Sequence, residues 1–411
     1  MRHVVVALIL ALSLAVPVGA AAADPSPAPG AWTIAELPPV AGTDANVHDV
    51  AAGPDGLVAI GARITSGSDG PLFPAAPELW TSADGITWTP VDPEGSGVVL
   101  GWYRPVLSGP EVGLIAVTHG PSGFVLVGRS APSRSSAPRI STWRSVDGIA
   151  WDAATPEVFP PAARPGALVG TPTGYLAGGV VYGRRAPLAA VWVSADGLRW
   201  TRATAEEGFG VGGYIDTMED PASGGIRSLA PYGDGAIATG LTCFPSFDKE
   251  SIWAWSGACW GTAWRSEDGL RWSASEAPQT HGEIGQVATL GTRVVATVVV
   301  CHTCPPAILV SDDGVTWSFA YGAPVGGGLV ELLATGDGFR ALLLSGDGTL
   351  AVWASPDGSD WTEMAPLPPL PAGTTAVRQA AMSAFGDRLV IVVAAEGDGI
   401  RSFAIMGPAG G

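Results

Sequence analysis

The sequence predicts an all-β protein, a seven-bladed β-propeller of four-stranded antiparallel blades. Three observations carry this: a seven-residue phrase that recurs six times, a second turn ahead of each phrase, and a turn-rich composition. The chain of 411 residues holds 57 Gly, 36 Pro and 16 Trp, with 47% hydrophobic and 14% charged residues. That apolar content suffices for a large core, and the Gly and Pro follow no collagen-like period. Many short strands between turns fit it better than helices do.

The phrase is Ser-x-Asp-Gly-x-x-Trp, centred on Asp84, Asp147, Asp196, Asp268, Asp313 and Asp357. Asp-Gly is a strong hairpin turn, because Gly accepts positive φ and Asp bonds neighbouring amides. Ser and Asp two positions apart can together satisfy the turn's free N–H groups. Five copies carry a second tryptophan two residues before the serine (Trp80, Trp143, Trp192, Trp264 and Trp353), and the fifth copy has Leu309 there. Two indoles on adjoining strands bury area that a lone hairpin lacks.

A second turn precedes each phrase, at Gly53–Gly56, Gly120–Gly123, Thr171–Gly174, Tyr232–Gly235, Leu290–Arg293 and Thr335–Gly338. A seventh, Phe385–Arg388, has no phrase after it. Each unit reads strand, turn, strand, loop, strand, Asp-Gly turn, strand. Radial repetition of such sheets makes a propeller. The last unit stops after a strand at Ile400–Met406, and Ala31–Leu37 looks like the strand that follows a phrase. Pairing these two closes the ring and removes open sheet edges. A six-bladed ring with an extra hairpin is the alternative.

Ahead of this repeat, Met1-Arg2-His3, the apolar run Val4–Val18 and Ala20–Ala23 read as a cleaved export signal over residues 1–23. Residues 24–30 form a Pro-rich spacer and 31–411 a single propeller domain. No later segment is long and apolar enough to span a bilayer. The mature chain is therefore expected to be secreted, extracellular or at the cell surface or periplasm. Export fits four cysteines, expected to pair as Cys243–Cys259 and Cys301–Cys304, each pair ending one strand and beginning the next.

Net charge is −17, with 38 acidic and 21 basic groups. That balance excludes a phosphate-backbone partner, which needs a basic stripe. No cofactor or metal is predicted. The five histidines lack ligand spacing, the Gly-rich runs are not phosphate loops, and no twelve-residue calcium loop is present.

The repeated phrase resembles the Asp-box, or bacterial neuraminidase repeat, of sialidase-like propellers. The resemblance covers nearly the whole mature chain. It implies a box on the blade periphery, so the six aspartates are expected to be structural. Sialidases of this kind carry Tyr/Phe-Arg-Ile-Pro before the first box and form six blades. Here Tyr103-Arg104-Pro105 lacks the isoleucine and follows the first box, and seven units are counted.

The reading favoured is an exported binding or scaffold module for a glycan, protein or cell-surface ligand. A glycoside hydrolase of sialidase-like type is the alternative, and a purely structural assembly protein is a third. No catalytic residue is assigned, and a monomer is expected. Twelve tryptophans have places in or beside the repeat; Trp102, Trp253, Trp255 and Trp260 do not. Trp102 with Tyr103 and Arg104, and Trp253 with Trp255, are the expected ligand contacts. Both groups lie in loops that should open on the face opposite the boxes, where exposed aromatics suit recognition.

Overall fold

The structure, a computed structural model, describes residues 31–410 apart from 41–45, 65–72, 93–94, 104, 107–108, 111–112, 131–138, 183–186, 204–224, 245–257, 276–281, 299–306, 321–326 and 398. The described residues form strands and turns with no helix. Seven antiparallel sheets share one order, first to fourth strand. Blade 1 comprises Val47–Gly53, Gly56–Ile64, Phe73–Ser82 and Thr89–Pro90. Blades 2 to 6 begin at Gly113, Ala163, Gly225, Ile284 and Gly327. Blade 7 comprises Ala376–Phe385, Arg388–Glu396 and Ile400–Pro408, with Thr33–Glu36 as its fourth strand. The first strands of successive blades neighbour one another all the way round, so they surround the axis.

Closure follows the register Thr33↔Met406 to Glu36↔Phe403. The Leu37 N–H donates to the Ser402 carbonyl at 2.9 Å. Arg401 clamps Glu36 with two bonds, Nε to Oε1 at 2.8 Å and Nη2 to Oε2 at 2.6 Å. The ring therefore has seven blades, not six.

Among the described residues there is no central core. Each apolar cluster lies between two adjacent blades, as where Val58, Ile60 and Leu79 of blade 1 meet Leu114, Leu126 and Trp143 of blade 2. A middle strand is covered on both faces, so it reads as an unbroken apolar run; every residue of Gly123–Ser130 is buried. Fourth strands are only two or three residues long in blades 1 to 6.

The repeated phrase folds the same way in each copy. Ser Oγ donates to Asp Oδ1, at 2.9 Å in blade 2 and 3.1 Å in blade 1. The Gly N–H donates to the same Ser Oγ, at 2.8 Å in both. The phrase glycines sit at φ between +68° and +80°, where any side chain is strained. In five copies the closing indole N–H returns to the Gly carbonyl, as Trp151 to Gly148 at 3.1 Å. In the fifth, Trp317 donates instead to Ser275 Oγ of the preceding blade at 3.1 Å.

Each blade thus has a turn end, carrying the first turn and, in blades 1 to 6, the phrase, and a loop end, carrying the second-to-third-strand connection and the link to the next blade. First strands run from the loop end to the turn end.

Candidate functional site

Neighbouring first strands belong to different sheets, so no backbone ladder joins them. Every first strand also carries a register shift; in blades 1 to 6 it falls five residues before the strand's last residue, at His48, Ile115, Gly166, Arg227, Gly285 and Val330. A bulge re-aims side chains and frees backbone N–H groups. Polar side chains just past the bulge take some of them up. Asp49 accepts its own neighbour Val50 N–H at Oδ1 and the Val117 N–H of blade 2 at Oδ2, both at 2.8 Å. Ser228 does the same between blades 4 and 5, its Oγ accepting from Val287 N–H at 3.2 Å.

Glu331 occupies the Asp49 position in blade 6, four residues before the strand's end. It takes no hydrogen bond from the described residues. Burial pushes its carboxyl up to about 8, helped by the negative charge of Asp49. Asp49 is pushed up to about 7 by burial, against the pull of the Val117 and Val50 N–H groups. His48, beside it, is held near 4 by burial and is neutral at pH 7. Two arginines at bulges, Arg227 and Arg378, are each ion-paired, to Glu283 and to Glu396. The inner ring therefore offers two acids that hold protons near neutrality, and arginines already engaged. Such acids can donate to hydroxyl or carbonyl oxygens as well as accept.

Two of the aromatics picked out from sequence, Trp102 and Tyr103, have their backbone at the loop end. Gly101–Tyr103 forms a short strand whose backbone pairs with Phe73–Ala75, placing Trp102 opposite Pro74 and Tyr103 opposite Phe73. That is the start of the third strand of blade 1, the end remote from its phrase. Cys243 and Cys259 are register partners at the corresponding end of blade 4. Arg104, Trp253, Trp255, Cys301 and Cys304 lie outside the described residues, as do residues 1–30. A groove of 470 Å³ opens between blades 6 and 7 at this end, lined by Leu350, Leu367, Leu370, Val377 and Ile405.

The six phrase aspartates do not converge. Each is bonded within its own turn at the other end of its blade. Sequence reasoning missed Asp49 and Glu331, although the signal existed: an acid inside an apolar strand, four residues ahead of the first turn in two blades.

No protein-family model matches the chain, and no curated protein matches it. Solved structures resemble it at low identity. A Trypanosoma rangeli sialidase in complex with the inhibitor DANA is 10% identical over 92% of this chain and 60% of its own, with a TM-score of 0.46. A Pyrococcus horikoshii acylaminoacyl peptidase is 8% identical over 87% of this chain and 52% of its own, at 0.48. The BP39L lectin from Burkholderia pseudomallei is 14% identical over 89% of this chain and 97% of its own, at 0.48. The chain thus spans less than two thirds of the sialidase. At these scores nothing about the site follows from the likeness.

Proposed function

We propose that this protein is an exported binding propeller whose ligand, a hydroxyl-rich glycan or a protein surface, sits at the axial mouth on the loop end. Trp102, Tyr103, Arg104, Trp253 and Trp255 are its aromatic and polar contacts, with Glu331 and Asp49 deeper along the axis. The observation that carries this reading is Glu331, a half-buried carboxyl among the first strands that takes no hydrogen bond from the described residues. A carboxyl left open in this way can pair with a ligand hydroxyl, as donor or acceptor. A carboxyl kept neutral favours an uncharged ligand over an anionic one, in keeping with the net charge of −17.

Hydrolysis is the second reading, favoured by the presence of two axial acids. A glycosidase needs one acid and one ionised carboxylate free to act. Asp49 has both oxygens committed to backbone N–H groups, which weighs toward binding.

The test is calorimetric titration of the mature chain against neutral and sialylated oligosaccharides, beside a fluorogenic glycoside assay. Saturable binding without turnover is expected, weakened about tenfold by Trp102→Ala or Trp253→Ala. Turnover lost in Glu331→Gln would make the hydrolase reading the right one. Binding unchanged in both tryptophan variants would remove the aromatic surface from the proposal. Export predicts a mature N-terminus at Asp24, and the cysteine pairing predicts linked peptides 243–259 and 301–304.

A further inference from the structure

We propose that the cleft between blades 1 and 2 at the turn end receives an arginine side chain presented by a protein partner. The cleft measures 520 Å³ and is walled by Asp55, Asp84, Asp147, Leu57, Phe124 and Val146, among others. Its case rests on what fills the same place in two other gaps of the ring.

Between blades 4 and 5 an arginine crosses the gap. Arg265, immediately before the phrase serine, donates from Nη1 to the carbonyl of Asp313 in the next blade at 3.0 Å. Its guanidinium lies over the Tyr232 ring, 5.1 Å from the centroid. Between blades 5 and 6, Arg293 donates from Nε to the Asp357 carbonyl at 2.7 Å and from Nη2 to Ser359 Oγ at 2.8 Å. Its Nη1 also reaches the Asp312 carboxylate at 2.8 Å. In both gaps the phrase-aspartate carbonyl of the following blade meets a guanidinium.

Blade 1 lacks every one of these groups. Thr81 stands at the Arg265 position, Gly53 at that of Tyr232 and Gly56 at that of Arg293. The correspondence is spatial as well: a Cβ on the next blade's phrase glycine would meet Thr81 Cγ2 at 3.1 Å at Gly148, and Arg265 Cδ at 3.7 Å at Gly314. Thr81 and Gly56 line the cleft, so it opens where Arg265 and Arg293 stand in the other two gaps; at Gly53 the His119 and Phe124 rings already take the place of the tyrosine.

The electrostatics fit a cation from outside. The backbone N–H of Ile149 leads in holding the Asp147 carboxyl below its ordinary range, and the Thr87 and Ile86 N–H groups hold Asp84 there against burial. Both are ionised at neutral pH. His119 is lowered by burial, against the pull of Asp55, and so brings no positive charge. Leu57, Phe124 and Val146 offer an apolar wall for the methylene stem, and a guanidinium fork suits carboxylate and carbonyl acceptors. A protein rather than a small guanidinium compound is favoured by the surroundings. Val146 (82% exposed) and Ile149 (53%) stand beside the cleft as aliphatic studs that a lone guanidinium would leave in water. The excess negative charge would steer a basic surface toward this face.

The probes are N-acetyl-arginine amide, its citrulline counterpart, and acetyl-Ile-Arg-Ile-amide, titrated into the mature chain by calorimetry and NMR. The arginine probes are expected to bind saturably, the tripeptide at least about threefold tighter, and the citrulline compound not at all. Asp55→Asn should weaken arginine binding about threefold. Thr81→Arg should abolish it while keeping the circular dichroism and thermal midpoint, since its own guanidinium fills the cleft. No binding, equal binding of citrulline, or unchanged binding by folded Thr81→Arg would overturn the proposal. Equal affinity of the two arginine probes would overturn the protein partner. This face is opposite the proposed ligand mouth, so glycan titrations report on that reading separately.

Discussion

The serine of each phrase does two jobs with one oxygen, accepting the glycine N–H and orienting the aspartate. In blade 2, Ser145 is buried, and its loss leaves the Gly148 N–H buried and unpaired. Ser145→Ala is expected to destabilise by about 1–3 kcal/mol, read from the shift in urea midpoint at constant slope. The phrase turns were legible in sequence because all their chemistry lies within seven consecutive residues. Asp49 and Glu331 have no such local signature. A single acid in Val-His-Asp-Val or Val-Glu-Leu-Leu gains meaning only when seven first strands surround an axis and bring the two acids toward each other.

At the scale of the element, the closing strand is the informative piece. Its sequence reads like the strand after a phrase, and that likeness located it. Trp32 then lies directly over Gly407, where even one added carbon would fall inside the indole's contact shell. Gly407→Ala should therefore displace the closing strand, costing about 1–3 kcal/mol and raising amide hydrogen exchange at Thr33–Glu36 above that of blade 3. Unchanged exchange would mean that the indole moves aside freely. The bulges of the first strands were not legible, since Gly-Ile-Arg-Ser-Leu-Ala and its counterparts read as ordinary strands. They recur in every first strand and in the same place in blades 1 to 6, which only the assembled ring makes visible.

For the whole molecule, two sets of acids pull stability in opposite directions with pH. All six phrase aspartates are held below their usual value, Asp313 at about 2. Their contribution is complete above the unfolded value near 4 and is lost as pH falls through the folded ones. Asp49 and Glu331 are raised, to about 7 and about 8. Theirs is complete below about 4 and disappears as pH rises through 7 to 8. The thermal midpoint should peak in mildly acidic buffer, near pH 4 to 5, and decline toward pH 8. Glu331→Gln should flatten that decline and leave the acid limb unchanged, which separates the axial acids from general repulsion by the net charge. A decline of equal slope in the variant would show that Glu331 does not titrate in the ring.

The clamp between Glu36 and Arg401 joins positions 365 apart in the chain. Six of the seven blade interfaces join consecutive blades and can assemble as the polypeptide arrives. The seventh must wait for the final strand, and loop-closure entropy makes this the slow, late contact. Until then the edge of Ile400–Pro408 is unpaired, and the closing strand Thr33–Glu36 of a second molecule would fit it with the same register and the same arginine clamp. Completing the circle within one chain is thus a race against exchange between chains, won by dilution and lost by crowding.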